Sequence, residues 1–308
     1  MGGRLMRGLF AIPVTPFDEQ GEIDEASLHS VMRFCVEAGS HGIVTPVNVS
    51  EFTTLSTDER KLVARVAIDE AAGQIPVVIG VASPSEPEAV ALARDAEAAG
   101  ADAVISMPPP GASLGEDGIR RYYQALSDAV SLPIFIQDHE GPVGTPMSAP
   151  FLAELCTSMD NVRYIKEESN NTGLKIVEVL RLAGEHCDGI MGGKAGRYLL
   201  DEFRRGACGT MPACESADVH AQLWDALDTG DERRARDIFK ELLPLLNYEA
   251  LFGTALYKEV LYRRRIIRTP AKRLKGFTLD SYDHQELDHI LDDLSKFFTV
   301  RTPWKRPD

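Results

Sequence analysis

The stretch Val162-Arg163-Tyr164-Ile165-Lys166-Glu167-Glu168-Ser169 places one lysine within a short run of β-branched and aromatic residues. Such a run is typical of a buried β-strand. Lysine is rarely buried without a partner or a function, and burial disfavours the charged form of an amine. A neutral amine is a nucleophile that can form a Schiff base with a carbonyl carbon. Lys166 is therefore a candidate catalytic residue, although most lysines at strand ends are solvated or ion-paired.

On both sides of this stretch, apolar or β-branched runs alternate with amphipathic helical patterns up to about residue 225. The runs predict eight strands, at residues 9–15, 42–47, 76–82, 103–107, 133–137, 163–168, 189–192 and 209–214. Helical patterns separate them, for example at residues 25–37, 57–71, 86–98 and 119–129. This order predicts an α/β fold of the (β/α)8 TIM barrel type, with its active site at the carboxyl ends of the strands. A doubly wound sheet is disfavoured because no Gly-x-Gly-x-x-Gly follows the first strand.

The strand pattern ends near residue 217, and helical patterns then cover residues 217–227, 232–246, 251–264 and 285–298. We therefore predict a barrel over residues 1–225 and a C-terminal helical region over residues 226–308. The sequence does not indicate whether this region packs on the barrel or on another subunit.

Composition excludes several classes of function. The chain has 308 residues and a net charge of −14, and its longest basic run, Arg263-Arg264-Arg265, lies in a helical pattern, which argues against nucleic acid as a partner. There is no signal-peptide pattern and no apolar run of about 20 residues, which predicts a cytoplasmic protein that does not associate with a membrane. The five cysteines lack Cys-x-x-Cys spacing and indicate neither a disulfide framework nor a structural zinc site.

With Lys166 on the sixth predicted strand, the chain resembles the dihydrodipicolinate synthase and N-acetylneuraminate lyase family of Schiff-base aldolases. The motifs that carry the resemblance are Val14-Thr15-Pro16-Phe17, Ser50-Glu51 with Thr54-Leu55-Ser56, Gly100-Ala101-Asp102-Ala103 and Tyr164-Ile165-Lys166-Glu167. The resemblance implies that Lys166 forms an imine with the keto group of pyruvate or of another 2-keto acid. It also implies a homodimer or a homotetramer.

Several motifs depart from those of the family. Gln137 stands where the family has a catalytic tyrosine in a Tyr-Asn-x-Pro motif, and Val47-Asn48-Val49-Ser50-Glu51 replaces Gly-Thr-Thr-Gly-Glu. Pro142 lies near the place of an arginine that binds the second carboxylate of the synthase substrate, and Pro108-Pro109-Pro110-Gly111 replaces a tyrosine pair. We therefore predict a divergent member that is not a dihydrodipicolinate synthase.

Strand alternation suggests a replacement for the missing tyrosine. Residues at i and i+2 of a strand share one face, so Glu168 points into the barrel if Lys166 does. A carboxylate beside an amine in a barrel mouth is suited to proton transfer near neutral pH. The Lys-x-Glu pattern is similar to that of the family's 2-keto-3-deoxy sugar-acid dehydratases. The alternative is an ion pair that only orders the lysine.

Further candidates lie at the ends of other predicted strands. Glu215 follows the eighth strand and is a second candidate for proton transfer, or else a first-turn acid of the next helix. Backbone amides and polar side chains at the strand ends are expected to bind substrate, namely Asn48, Val49, Ser50, Gln137, His139, Gly192 and Lys194. Lys194 is alternatively a solvated loop residue. No metal or other cofactor is expected, because the imine already supplies the electron sink.

The sequence thus predicts a lyase that dehydrates a 2-keto-3-deoxy sugar acid through an imine and an enamine on Lys166. Glu168 is expected to remove the C3 proton before the C4 hydroxyl leaves. A retro-aldol lyase that releases pyruvate is the nearest alternative. A relative that binds keto acids without turnover is the other.

Overall fold

The computed structural model describes residues 6–109, 114–140 and 144–300 of the chain. In this part of the chain, eight parallel strands form a closed barrel whose neighbours follow chain order. The strands are β1 (Gly8–Ala11), β2 (Gly42–Thr45), β3 (Val77–Gly80), β4 (Ala103–Ser106), β5 (Ile134–His139), β6 (Val162–Glu168), β7 (Gly189–Gly192) and β8 (Gly209–Thr210). The predicted (β/α)8 barrel is confirmed.

In the described residues a helix follows each strand, and three further helices belong to a C-terminal extension. The helices of the barrel are α1 (Glu25–Glu37), α2 (Thr57–Ala71), α3 (Glu86–Ala99), α4 (Glu116–Ala129), α5 (Ala149–Ser158), α6 (Thr172–Ala183) and α7 (Leu199–Arg204). The eighth barrel helix is α8 (Ala217–Asp228), and the extension contains α9 (Glu232–Phe252), α10 (Thr254–Arg263) and α11 (Ser281–Leu294). Side-chain caps fix the starts of α1 and α2: Asp24 accepts from the backbone of Ser27, and Ser56 forms a capping box with Glu59.

Backbone proximity divides the chain into two compact units. Of the described residues, the first unit contains residues 6–7 and Pro76–Met211, and the second contains Gly8–Ile75 and residues 212–300. The predicted boundary at residue 225, between the barrel and the C-terminal helical region, is not tested by this division and stays a prediction.

In the first unit, β5 and β6 form the longest ladder. Its register continues to the carboxyl ends of both strands, where the pairs are Gln137 with Lys166, Asp138 with Glu167 and His139 with Glu168. Because successive side chains of a strand point to opposite faces, alternate pairs lie on alternate faces of the barrel wall. The ladder therefore determines which strand-end residues can form one site.

In the second unit, a buried arginine of the C-terminal extension pairs with α8. Arg264 is 1% exposed, and its Nη2 donates to Oδ2 of Asp218 at 2.7 Å. Its guanidinium lies between the rings of Phe34 and Phe298, at 4.8 and 3.9 Å from their centroids. Such a bidentate, stacked site suits arginine and not lysine. Arg264, the middle residue of the basic run 263–265, is thus part of the folded core.

Some predicted bounds were wrong. β8 ends at Thr210 instead of extending to residue 214, because Pro212 lacks the amide that would continue the ladder. The last helix begins at Ser281, earlier than predicted, because Asp280 caps it with a hydrogen-bonded box to Asp283. None of the helices in residues 6–109, 114–140 and 144–300 combines the length and apolar composition needed to cross a bilayer.

Candidate active site

Lys166 and Glu168 lie two residues apart on β6 and share one face of the strand. Lys166 is 4% exposed, and its Nζ lies 3.2 Å from Oε1 of Glu168. The structure therefore brings together the two residues of the Lys-x-Glu pattern as an ion pair.

The neighbouring strand β5 supplies two further side chains around Glu168. The amide of Gln137 donates to Oε2 of Glu168 at 2.7 Å, and Nδ1 of His139 lies 3.7 Å from the same oxygen. Burial raises the pKa of Glu168, but Lys166, His139 and the bond from Gln137 outweigh it, so that the pKa lies below its ordinary value. Glu168 is therefore an ionised carboxylate that can accept a proton.

Gly193, directly after β7, provides the space that Glu168 occupies. A Cβ atom at Gly193 would lie 2.3 Å from Cγ of Glu168, a distance that real contacts do not reach. Gly192 was among the predicted site residues, whereas Gly193 was not. The signal was the Gly-Gly pair at the end of a strand, which marks a close approach of another group to the backbone.

Gly192 provides space on the opposite face, where a different carboxyl group lies. A Cβ atom there would lie 1.9 Å from Oε2 of Glu202, a fully buried residue of α7. Burial and the neighbouring Asp201 raise the pKa of Glu202 to about 8, so it is protonated at neutral pH. The close contact at Gly192 is therefore with Glu202, and its substrate contact stays a prediction.

A charged cluster that the sequence analysis missed lies on the outer face of β5 and β6. Asp138 and Glu167 are buried there, and Lys175 of α6 forms an ion pair with Asp138 and lies 3.7 Å from Oε2 of Glu167. Oδ1 of Asp138 accepts from the backbone of Met147 at 3.0 Å, and Oε1 of Glu167 accepts from that of Ser169 at 2.7 Å. Burial, with the adjacent Asp138, raises the pKa of Glu167 to about 8. The cluster thus fixes the backbone that follows β5 and β6.

Lys194 bonds to the segment after β6. Its Nζ donates to the backbone oxygen of Ser169 at 2.8 Å and to Oδ1 of Asn170 at 3.0 Å. The contacts connect the loops after β6 and β7, and its predicted contact with substrate stays a prediction.

Asn48, Val49 and Ser50 belong to the second unit, where they form a 3-10 turn after β2. Asn48 and Val49 are half-buried, whereas Ser50 is fully buried. The Ser50 hydroxyl donates to the backbone oxygen of Pro13 at 2.7 Å. The hydroxyl proton of Ser50 is therefore used within the fold, which leaves Asn48 and the backbone at Val49 as the accessible groups of the turn.

Glu215, also in the second unit, lies in a 3-10 turn before α8 and is fully buried. Burial raises its pKa, against the opposing effects of Glu249 of α9 and the charge of Arg264. Neither oxygen of the Glu215 carboxyl has a hydrogen-bond partner in the described residues. Its catalytic role stays a prediction.

In the described residues, no group of three or more His, Cys, Asp or Glu side chains is placed to hold a metal ion. Some of the departures from the family motifs cannot be located. Pro110, Gly111, Gly141, Pro142 and Val143 lie outside the described residues.

The chain is similar to proteins of one family. Residues 5–292 match the model of the Dihydrodipicolinate synthetase family. An L-2-keto-3-deoxyarabonate dehydratase of Azospirillum brasilense is 33% identical over 260 residues, which are 83% of this chain and 84% of that protein. A 4-hydroxy-tetrahydrodipicolinate synthase of Chlorobium phaeovibrioides is 33% identical over 240 residues, 77% of this chain and 80% of that protein.

The solved structures agree with the sequence comparison. A dihydrodipicolinate synthase from Rhodopseudomonas palustris has a TM-score of 0.86 and 28% identity, and the match covers 94% of this chain and 98% of that one. The chain therefore belongs to the dihydrodipicolinate synthetase family, and it is a lyase of that family. The predictions of the family and of enzymatic activity are confirmed.

Proposed function

We propose that the protein dehydrates a 2-keto-3-deoxy sugar acid through a Schiff base on Lys166. The observation that carries this proposal is the ionised Glu168 carboxylate, 3.2 Å from the Lys166 amine in the wall of the barrel. The similarity to the L-2-keto-3-deoxyarabonate dehydratase supports the same reaction type. No tyrosine is needed in this scheme, because Glu168 supplies the acid and base chemistry.

The first step forms the covalent intermediate. Lys166 passes a proton to Glu168, and the neutral amine adds to C2 of the keto acid. The carbinolamine then loses its hydroxyl with that proton as water, which leaves a protonated imine and an ionised Glu168. Every later step can use this carboxylate as a base.

The second step eliminates water from carbons 3 and 4. Glu168 removes the C3 proton, and the electron pair moves into the imine to give an enamine. The C4 hydroxyl then leaves with the proton that Glu168 returns, or with one that Glu215 supplies through a water. Hydrolysis of the imine releases an unsaturated 2-keto acid, or the dicarbonyl acid to which it tautomerises, and restores Lys166.

Substrate binding is assigned to polar groups around this carboxylate and on the turn after β2. We propose that Asn48 and the backbone at Val49 hold the C1 carboxylate, while Gln137 and His139 contact the sugar hydroxyls. Gln137 already donates to Glu168 at 2.7 Å, so its amide can contact both this carboxylate and the substrate. Ser50, Gly192 and Lys194 shape the surrounding loops in this scheme.

Product analysis tests the reaction type. We would incubate the enzyme with a panel of 2-keto-3-deoxy pentonates and hexonates and identify products by mass spectrometry. The proposal predicts an unsaturated or 2,5-dioxo acid without pyruvate. Pyruvate together with an aldehyde would instead establish the retro-aldol reaction, and failure to trap any keto acid with borohydride would favour a binding protein.

The assembly of the enzyme is a separate proposal. We propose a homodimer or a homotetramer, which the exposed apolar residues Leu174 and Tyr198 of the first unit support, since both are more than half exposed. Sedimentation velocity over a range of concentrations tests this. A single monomeric species at all concentrations would contradict it. The cytoplasmic location stays a prediction.

A further inference from the structure

The turn that carries Asn48 continues into a second 3-10 turn, and Glu51 joins the two. Glu51 has φ 56° and ψ 36°, a left-handed conformation that is uncommon for a residue with a side chain. It is fully buried. A buried acid in this conformation needs strong contacts to remain there, and the structure provides them from the C-terminal extension.

Both oxygens of the Glu51 carboxylate are in contact with this extension. Oε1 lies 2.5 Å from Nζ of Lys258, a residue of α10. Oε2 accepts from the backbone amides of Arg273 and Leu274, at 2.9 and 2.7 Å. Helix α10 is therefore bound to the loop after β2 by an ion pair, and the segment that follows α10 is bound to it by two charge-assisted hydrogen bonds.

The cations around Glu51 are themselves held in place. Lys258 is fully buried and donates to the backbone oxygen of Ala271 at 2.7 Å. Arg273 donates to the backbone oxygen of Thr54 at 3.0 Å, at the end of the second turn. Both cations lie 4.3 Å from the ring centroid of Phe17. The extension thus contacts the loop at Glu51 and again at Thr54.

The first turn is also bound from the barrel side. Ser50 donates to Pro13, and its own backbone oxygen accepts from Oγ1 of Thr15 at 2.7 Å. Asn48 and Val49 therefore lie just before Ser50, which is held by the segment after β1 and is followed directly by Glu51.

We propose that Glu51, Lys258 and Arg273 are positioning residues that hold the Asn48–Ser50 turn in the conformation that binds the carboxylate of the substrate. This inference rests on the proposed function of that turn. The three residues touch neither the reacting carbons nor Lys166 in this scheme, so they act on binding through the turn and leave the chemical steps to Glu168.

Substitution of Lys258 by methionine tests the inference, because it leaves the Glu51 carboxylate buried without its cation. We expect KM for the 2-keto-3-deoxy acid to rise about 10- to 100-fold and kcat to change less than about threefold. The same shift is expected in the pyruvate concentration that gives half-maximal borohydride trapping. Lys296→Met, which breaks an exposed pair with Glu241 in the same extension, is the matched control and should change neither value.

A milder pair of variants keeps the test informative if Lys258→Met does not fold. Arg273 is only partly buried, so Arg273→Met should fold and raise KM, whereas Arg273→Lys should retain most of the wild-type KM. Lower thermal stability with an unchanged KM in the folded variants would make the contacts merely structural and would overturn the inference. A wild-type enzyme that traps no keto acid would instead refute the proposed function.

Discussion

Two buried lysine–glutamate pairs, one in each unit, show how differently the same residue types can be used. Lys258 is bound by Glu51, by the backbone oxygen of Ala271 and by the ring of Phe17. Lys166 has Glu168 as its ion-pair partner in the described part of the chain. Burial and a carboxylate are common to both lysines, so neither feature alone distinguishes a nucleophile.

The two carboxylates also differ in the groups that bind them. Backbone amides and Lys258 use both oxygens of Glu51, and burial lowers the pKa of Lys258 to about 8 against the opposing effect of Glu51. Glu168 is bound by side chains, from Lys166 and Gln137, that can rotate when a substrate enters. A carboxylate held by side chains can exchange protons and partners, whereas one held by backbone amides fixes the backbone.

The largest expected effect comes from removing the amine of each pair. Lys166→Met should reduce turnover by a factor on the order of 10⁴ or more and abolish borohydride trapping, because no imine can form. Lys258→Met should retain trapping at high substrate concentration. Steady-state kinetics measures turnover, and intact-protein mass spectrometry measures borohydride trapping, in both variants. Equal losses of trapping in the two variants would remove the distinction between the pairs.

The next effect concerns the carboxylate beside Lys166. Glu168→Gln should still permit imine trapping, although more slowly because Glu168 also takes part in forming the imine, and should lower turnover by a factor on the order of 10² to 10⁴, the usual contribution of a positioned acid–base group. Glu167→Gln, on the opposite face of the same strand, is the matched control and should retain most activity near pH 7, because that carboxyl is already protonated. Unchanged turnover in Glu168→Gln would exclude this residue from the mechanism.

A smaller effect is expected from the space that Glu168 occupies. In Gly193→Ala the new Cβ would lie 2.3 Å from Cγ of Glu168, so the carboxylate must move away from Lys166. We expect kcat to fall by about 10- to 100-fold, since small displacements of catalytic groups have effects of this order. Gly115→Ala, where a Cβ meets nothing within 4 Å, is the control. Equal kcat values for the two variants would show that Glu168 does not need its present position.

Glu202 is a third buried carboxyl group, and it differs from Glu51 and Glu168 in its partners. Neither of its oxygens has a hydrogen-bond partner in the described residues, and its pKa of about 8 lies above the ordinary 4.5. Between these two values the folded protein binds more protons than the unfolded chain, so the free energy of unfolding falls as pH rises. Glu202→Gln should remove a loss of about 2 to 4 kcal/mol between pH 5 and pH 8. Denaturant unfolding at both pH values checks this, and identical pH dependence in the variant and the wild type would contradict it.

The sequence was informative where a pattern is local. The alternation of strands and helices predicted the barrel, and the period of two along residues 162–168 predicted that Lys166 and Glu168 share a face. The bounds of α1 and α2 were also predicted, because their caps and apolar periods are contained in the helices themselves. Pro212, which ends β8 early, was a local signal that the prediction of that strand did not use.

Contacts between segments that are distant in the chain could not be predicted from the sequence. Gln137 reaches Glu168 only because of the register between β5 and β6, which contains an irregularity at Ile134 and Phe135. Lys258 pairs with Glu51 although they lie in helix α10 and in a loop after β2, and no period connects the two. The assignment of Ser50 to substrate binding likewise did not foresee that its hydroxyl is used by Pro13.

The location of the covalent adduct is the sharpest test of Schiff-base formation on Lys166. The wild-type enzyme would be reduced with borohydride in the presence of a 2-keto-3-deoxy pentonate, digested, and mapped by tandem mass spectrometry. The proposed mechanism predicts one modified lysine, Lys166, with Lys258 unmodified in the same sample. A modified Lys258, or an adduct spread over surface lysines with Lys166 intact, would contradict it.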